Sequence, residues 1–211
     1  MNAGTSAIGD ASAEHALAYV FWHPPASGEP VPDYEAALRT FHRTLTGTPI
    51  AGMLATRAAR VPELPWLPGG GYEDWYILRG YGDLGELNDA AVDATRGHAH
   101  KDIASRSGRG AGALYGLAVG TVAVMPAWVT WLSKPRTMPY TEFYDELFAC
   151  LGSAERALSA VAVWRRQLVL GPAPEFCVTA PWPLPALPPA WLPVSVRLQS
   201  IYADTINGTV D

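Results

Sequence analysis

The fold is decided by two stretches that resemble each other, Ala18-Tyr-Val-Phe-Trp22-His23 and Ala127-Trp-Val-Thr-Trp131-Leu132. Alanine, valine and tryptophan recur at matching positions, all at one offset of 109 residues. Both stretches are rich in β-branched and aromatic residues and are predicted to be strands. Because an internal duplication fixes an architecture before any single element does, the chain is expected to contain two homologous halves.

Each stretch is followed by a proline-containing loop and an amphipathic run. The apolar residues of these runs have the spacing of a helix with one buried stripe. They are Tyr34, Leu38, Phe41 and Leu45 in the first run, and Tyr140, Tyr144, Leu147 and Leu151 in the second. His42 is placed on the side of the first helix away from Leu38 and Leu45, and it is expected to be solvated.

Further predicted elements of the first half have counterparts in the second. Residues 50–61 align with 158–169 as strands, which brings Arg57 opposite Arg165. The remaining predictions are strands at 72–79 and 175–179, a helix at 82–93, and final strands at 113–119 and 194–202. The counterpart of the 82–93 helix contains six prolines between positions 181 and 193 and cannot be a regular helix.

The predicted fold class is α+β, with two tandem ferredoxin-like β-α-β-β-α-β repeats. A flexible leader is expected at residues 1–15, the first repeat at 16–123 (the first half), and a second, degenerate repeat at 124–211 (the second half). Large aromatic residues would leave an apolar patch on one face of each sheet. The two antiparallel sheets are therefore expected to pack face to face.

Composition excludes several classes of protein. Hydrophobic residues make up 49% and charged residues 17%, which indicates a folded core, and a net charge of -5 argues against nucleic-acid binding. The longest apolar stretch, residues 111–132, is interrupted by glycines and Pro126, so no membrane span is expected. Two cysteines, Cys150 and Cys177, favour reduced core thiols in a cytoplasmic protein. The excess of arginine over lysine indicates a bacterial source.

The stretch Tyr72-Glu-Asp-Trp75-Tyr76, followed by Leu84, Leu87, Ala90 and Ala91, resembles a known family. It is similar to the aromatic third strand and L-x-x-L-x-x-A-A helix of the dimeric α+β barrel superfamily, which includes EthD-like proteins and antibiotic-biosynthesis monooxygenases. The resemblance covers residues 16–203 as two fused repeats. It implies a pocket for an apolar small molecule, in a family with cofactor-free oxygenases, isomerases, cyclases and haem enzymes. The proline-rich stretch and the long loop 62–71 depart from the family pattern.

Residues 96–110 form the most polar stretch and are predicted to be a connecting loop that carries catalytic groups. His98 or His100 is the predicted general acid and base, since histidine exchanges protons near neutral pH. Arg106 is a predicted stabiliser of a substrate anion. The alternative is a solvated loop without a catalytic role.

Two strand residues are further catalytic candidates. Asp74 is the alternative base, with a pKa raised by aromatic burial beside Trp75. Arg57 is an alternative anion stabiliser. Since Arg57 and Arg165 are expected to be equivalent, both could instead be structural cations paired with carboxylates, of which Glu73, Asp74 and Glu175 are the obvious candidates.

The predicted substrate-binding residues are Tyr19, Trp22, His23, Trp75 and Tyr76, because such side chains line sites for planar ligands. Packing between the sheets is the alternative for the aromatic ones, and a capping role in a loop is the alternative for His23. The sequence Gly80-Tyr-Gly82-Asp-Leu-Gly85 fits a nucleotide fingerprint but is interpreted as a turn.

These observations lead to three hypotheses. The first is an enzyme that acts on an aromatic or polyketide-like small molecule by acid–base and electrostatic catalysis, as a cyclase, isomerase or cofactor-independent oxygenase. It is expected to need no cofactor or metal and to be a monomer or homodimer. The second is a haem enzyme with His98 as axial ligand. The third is a non-catalytic binding or scaffold protein.

Overall fold

The computed structural model describes residues 16–48, 50–123, 125–152, 160–168 and 170–206. The predicted leader lies outside the described residues, as do both ends of the predicted 158–169 strand. The elements in chain order are β1 (Leu17–His23), α1 (Val31–Gly47), β2 (Met53–Val61), β3 (Gly71–Leu78), α2 (Asp83–Ala91), α3 (Gly97–Arg106), β4 (Ala111–Gly120), β5 (Trp128–Leu132), α4 (Tyr140–Leu151), β6 (Ala162–Arg166), β7 (Phe176–Ala180), β8 (Val194–Arg197) and β9 (Gln199–Thr205).

The strands form one antiparallel sheet with the order β8-β5-β7-β6-β4-β1-β3-β2-β9. The blocks β4-β1-β3-β2 and β8-β5-β7-β6 have the same internal order, and they are joined by pairing of β4 with β6. After β8, only Leu198 precedes β9, which pairs with β2 at the other edge. The chain therefore nearly closes the sheet into a barrel. The α+β class is confirmed, but the two halves share one sheet instead of forming two separate ones.

Strand alternation decides what each residue of β1 faces. Ala18, Val20 and Trp22 belong to a buried cluster inside the barrel that takes residues from both halves. Tyr19 and Phe21 belong to a second cluster, under the helices of the first half. Neighbouring residues of β1 therefore face opposite sides of the sheet, one towards the barrel interior and the next towards the helices.

Residues 97–106 form helix α3, so the prediction of a loop at 96–110 is wrong. The segment has one large buried apolar residue, Ile103, and begins with Gly97. A helix with a single apolar anchor shows no stripe of 3.6-residue period, which is the signal used to predict helices. Packing of α3 against α1 supplies what the sequence pattern lacks.

The second half has one α-helix among its described residues, α4. Its buried residues are Phe143 and Leu147, whereas the predicted stripe residue Tyr140 is 40% exposed. The proline-rich stretch forms only a short 3₁₀ turn, Pro189–Trp191, in agreement with the prediction. Trp191 is buried there, with its ring centroid 4.9 Å from that of Phe143.

No helix in the described part of the chain is long and apolar enough to cross a membrane. Cys150 and Cys177 are free thiols. Gly80 and Gly82 lie in the connection from β3 to α2, and β3 pairs antiparallel with both of its neighbours. The parallel sheet that a dinucleotide fingerprint requires is not found around this turn.

Candidate active site

A cavity of about 800 Å³ lies between the sheet and the helices of the first half. Strands β1, β3 and β4 form its floor, and α1, α2 and α3 form its walls. Tyr19, Phe21, Phe41 and Tyr76 provide an aromatic lining. Its size and apolar character are typical of a site for a small organic molecule.

The register of the sheet brings the floor residues together. Tyr19 is directly opposite Tyr76, and Phe21 is directly opposite Asp74, so all four side chains lie on the helix-covered face. Tyr19 lies over Gly112, where an added Cβ would come within 2.7 Å of its ring. Glycine at position 112 therefore allows the Tyr19 ring to lie along the cavity floor.

Asp74 is the centre of a buried polar network at this floor. Its Oδ2 atom lies 3.0 Å from His23 Nε2 and 3.3 Å from His42 Nε2, and it accepts a hydrogen bond of 3.3 Å from the Tyr76 hydroxyl. His23 and Asp74 are 2% exposed and His42 is fully buried. One carboxylate oxygen is thus shared by two imidazoles.

Two hydroxyl groups extend the network. The other ring nitrogen of His23, Nδ1, hydrogen-bonds the Tyr34 hydroxyl, which lies 2.9 Å from Ser107 Oγ. Ser107 lines the cavity. His42 Nδ1 lies 2.7 Å from the hydroxyl of Thr56, which donates a hydrogen bond to a backbone carbonyl. We call His23, Tyr34, His42 and Asp74 the polar network.

The electrostatics of the network favour an ionised carboxylate and neutral phenols. Burial alone would raise the pKa of the Asp74 carboxyl, but the imidazoles of His23 and His42 hold it well below its usual range. Burial raises the pKa of the Tyr34 phenol, and burial and then Asp74 raise that of Tyr76. The prediction that Asp74 has a raised pKa is therefore wrong, because two imidazoles face it.

His100 is a separate imidazole on the cavity wall. It lies on α3, half-buried, with its ring centroid 5.7 Å from that of Phe41. Among the described residues no side chain forms a hydrogen bond with it. Its ring nitrogens are free to bind a ligand.

Three solved structures resemble the chain over most of its length. A monooxygenase-like protein of Fusobacterium nucleatum aligns with a TM-score of 0.64 and 10% identity, over 92% of this chain and 96% of its own. An anthrone oxidase-like protein has a TM-score of 0.54 and 11% identity, over 97% and 98% of the two chains. A chlorite dismutase-like protein has a TM-score of 0.52 and 11% identity, over 89% and 96%.

The chain shares the α+β barrel fold of these three structures, in which one antiparallel sheet nearly closes on itself. Both the sheet order and the aligned structures agree with the resemblance seen in the sequence. No protein-family model and no curated protein matches the chain. At such low identity the comparisons give the fold of this α+β barrel and not its activity.

Five predicted site residues line the cavity of the α+β barrel: Tyr19, His23, Asp74, Tyr76 and His100. They come from β1, β3 and α3, three elements that only the folded chain brings together. These residues include the central carboxylate, one of its two imidazoles and the free imidazole on the opposite wall.

Trp22, Trp75 and Arg57 lie inside the barrel and do not reach the cavity. The indole NH groups of Trp22 and Trp75 donate to the two oxygens of Glu73, at 2.9 and 2.6 Å. The Arg57 guanidinium lies 4.1 Å from the centroid of the Trp75 ring and donates to the carbonyl oxygen of Ala123. Trp22 and Trp75 therefore pack in the barrel interior and do not lie where the predicted substrate-binding role would place them.

Arg57 and Arg165 are not equivalent. Arg57 is opposite Trp75 in the β2–β3 pair, whereas Arg165 is opposite Phe176 in the β6–β7 pair. Arg165 forms an ion pair of 3.4 Å with Glu175, as predicted. Arg57 forms no ion pair among the described residues, and burial lowers the pKa of its guanidinium to about 10.

His98 and Arg106 lie on α3 but outside the cavity. His98 is exposed to solvent, so the structure does not bring it to the predicted site. Arg106 hydrogen-bonds Glu29 at 2.6 Å and Asp102 at 2.9 Å, and both carboxylates already neutralise it. Neither residue contacts the space where a substrate would lie.

The sequence interpretation missed Tyr34, His42 and Ser107. His42 is fully buried, so the expectation that it is solvated is wrong. It lies four positions after Leu38 and eight after Tyr34, which is a spacing that favours one helix face. This spacing alone would have predicted that His42 is buried, but histidine is a polar residue and is usually expected at the surface.

No group of three or more metal-binding side chains is found in the described ranges. Two observations on the described residues argue against the predicted haem site. The predicted axial ligand, His98, is exposed and lies outside the cavity. The described lining residues include no arginine or lysine to pair with the haem propionates.

Proposed function

We propose that this protein is an enzyme that binds an uncharged aromatic small molecule in the first-half cavity and removes a proton from it. The observation that carries the proposal is a buried carboxylate shared by two imidazoles at the floor of an aromatic cavity. Buried ionisable groups with perturbed pKa values cluster at functional sites. A scaffold protein has no comparable need for a cavity of about 800 Å³.

The lining indicates the chemistry of the ligand. Aromatic rings of Tyr19, Phe21, Phe41 and Tyr76 favour a planar apolar molecule. A carboxylate at the floor, with no lysine or arginine among the described lining residues, disfavours an anionic substrate. A neutral phenol or aryl ketone meets both conditions.

A chain of hydrogen-bonding groups can carry the proton away from the substrate. A substrate hydroxyl, which in a ketone is that of its enol form, gives its proton to Ser107 Oγ. Ser107 turns its own proton from the Ile103 carbonyl to the Tyr34 hydroxyl, and Tyr34 gives its own to His23 Nδ1. Asp74, ionised because its pKa is low, stabilises the resulting imidazolium. Tyr34 remains a neutral phenol and passes the proton on, because burial raises its pKa.

The substrate anion then needs stabilisation on the open side of the cavity. His100 is the free imidazole there, and Tyr19 provides a phenolic hydroxyl. The deprotonated substrate can isomerise, cyclise or react with dioxygen. Similarity in fold to monooxygenase-like and anthrone oxidase-like proteins supports the last of these reactions.

We also infer that the chain arose as two fused ferredoxin-like repeats, at 16–123 and 124–211. The strand blocks β4-β1-β3-β2 and β8-β5-β7-β6 support this inference through their common order. In this proposal the first repeat holds the ligand cavity, and the second serves to complete the barrel.

The test is turnover of neutral polycyclic phenols and ketones, beginning with anthrone, followed by oxygen uptake and product absorbance. His23→Leu and Asp74→Asn are each expected to lower the rate at least about 100-fold, the usual contribution of a general base. His98→Ala is the control, because His98 is an exposed residue of α3 outside the cavity, and it should leave the rate unchanged. Equal rates in all four proteins would contradict the proposal.

A further inference from the structure

The connection between β6 and β7 brings the second half to the cavity of the first. Its first residue, Gln167, donates a backbone hydrogen bond of 2.7 Å to the carbonyl oxygen of Leu114 on β4. Leu114 and, further along the connection, Leu170 both line the cavity. A residue of the second half therefore contacts the space that holds the ligand.

One end of this connection is tied to the wall of the cavity. The Tyr81 hydroxyl donates a hydrogen bond of 2.6 Å to the Gln167 side-chain oxygen, and Tyr81 lies two residues before the helix that carries Leu84 and Leu87. The Gln167 amide lies against Gly116, where an added Cβ would come within 2.6 Å of Nε2. Gln167 thus joins β4 to the start of α2.

The other end is held against the cavity floor. Arg166 donates hydrogen bonds to the carbonyl oxygens of Gly171 and Ala173. Gly171 has a φ of +110° and lies so close to β4 that an added Cβ would come within 2.3 Å of the Ala113 Cβ. A side chain at 171 would meet both backbone strain and a steric clash. Leu170 is therefore held next to Ala113.

Leu170 and Leu168 differ although both are exposed leucines of one short connection. Leu170 is 48% exposed and lines the cavity, whereas Leu168 is 75% exposed and does not. An apolar side chain left half in solvent beside an apolar cavity gains burial when a ligand reaches it. Leu170 occupies the rim, where the far end of a long ligand would lie.

We propose that Leu170 is a specificity-determining residue that limits the length of the aromatic ligand in the first-half cavity. This proposal depends on the proposed function, since it assigns a limit to the same site. It gives the second half a direct part in ligand selection, although the described residues of its own helix-covered face form an apolar cluster.

The experiment is fluorescence titration of the full chain with two neutral probes, the short 1-naphthol and the longer N-phenyl-1-naphthylamine. Leu170→Trp is expected to weaken binding of the longer probe about tenfold, which is about 1.4 kcal/mol, because overfilling an apolar site is unfavourable. Binding of 1-naphthol should stay within about twofold. Leu168→Trp is the matched control and should leave both affinities unchanged.

A second variant separates this proposal from the proposed function. Ala104 lines the cavity from α3 and is exposed at the helix surface, so Ala104→Trp fills the cavity without a buried substitution. It should abolish binding of both probes. If it does so while Leu170→Trp has no effect, or acts like Leu168→Trp, the length limit is wrong and the ligand site stands. If the unaltered protein binds neither probe, both proposals fall.

Discussion

The two halves of the barrel place different chemistry at matching positions of one strand order. His23 ends β1 opposite Tyr72, and Leu132 ends β5 opposite Phe176. Two residues further along β3 and β7 lie Asp74 and Val178 respectively. The carboxylate and imidazole of the first half are therefore replaced by a valine and a leucine in the second.

The same replacement extends to the helices. Tyr34 packs on Tyr72 with ring centroids 4.9 Å apart, and Phe143 packs on Phe176 at 4.5 Å. The hydroxyl that completes the polar network is absent from the phenylalanine. Trp191 packs beside Phe143, and among the described residues both belong to one buried apolar cluster on this side of the second half.

The comparison teaches that this sheet order does not require a polar network. An apolar set occupies the corresponding positions in the second half and forms the same strand pairs. Burying a carboxylate between imidazoles gives at best a small net stabilisation. The groups of the first half are thus better explained by a reaction than by folding.

The largest expected effect on stability comes from creating a cavity under the helix-covered face of the second half. Trp191→Ala removes the side chain that packs there and should lower the free energy of unfolding by about 3–5 kcal/mol. Urea denaturation measures the loss, and titration with N-phenyl-1-naphthylamine should reveal a second binding site. Trp182→Ala, at a tryptophan that is 44% exposed, is the control and should change stability by less than about 1 kcal/mol.

Replacing Asp74 of the first half by the valine found at the matching position of the second should lower the free energy of unfolding by less. Asp74→Val leaves the facing nitrogens of His23 and His42 buried without an acceptor, which should lower the free energy of unfolding by about 1–3 kcal/mol. The exposed carboxylate Asp102, changed to valine, should have an effect below about 0.5 kcal/mol. Equal losses in the two variants would show that burial of the carboxylate plays no part.

Acid should weaken the first half through the same carboxylate. The pKa of Asp74 is lower in the folded chain than in the unfolded chain, so its contribution is present above the unfolded value near 4 and is lost as the pH falls through the folded value. Between pH 7 and pH 3 the loss should be about 1 kcal/mol larger in the unaltered protein than in Asp74→Asn. Urea denaturation at both pH values gives the difference. The Glu73 carboxyl, whose pKa burial raises, acts in the opposite direction, and the charge of Asp74 adds to that shift only in the unaltered protein.

The smallest expected effect distinguishes the two histidines of α3. His98→Ala should change neither stability, within about 0.5 kcal/mol, nor probe affinity, because this side chain is exposed. His100→Ala removes a cavity wall residue and should alter probe affinity while leaving the fold intact. A larger effect of His98→Ala on probe binding would mean that the cavity is wrongly assigned.

Much of the barrel could be predicted from the sequence, because strands and the stripe of α1 leave periodic patterns. The same periodicity could also have divided the predicted binding residues, since Trp22 and Tyr19 differ by an odd number of positions and face opposite sides of the sheet. Helix α3 was missed because Ile103 is its only large buried residue.

The polar network could not be predicted in the same way. His23, His42 and Asp74 come from β1, α1 and β3, and they meet only when the helix packs on the sheet. A single sequence shows neither how β1 and β3 are aligned in the sheet nor which residues of α1 face them. Asp74 was identified as a candidate, but its partners and the direction of its pKa follow from tertiary packing alone.

The most direct test converts the polar network into the apolar set of the second half. The variant carries His23→Leu, Tyr34→Phe, His42→Leu and Asp74→Val together, with Tyr76→Phe so that the hydroxyl that donates to Asp74 is not left buried without an acceptor. Urea denaturation gives its free energy of unfolding. The account predicts a value equal to or above that of the unaltered protein, since replacing a whole buried ionic group by apolar residues is neutral or stabilising by about 1–4 kcal/mol. A loss of about 4 kcal/mol or more would mean that the network holds the fold together, and the account would be wrong.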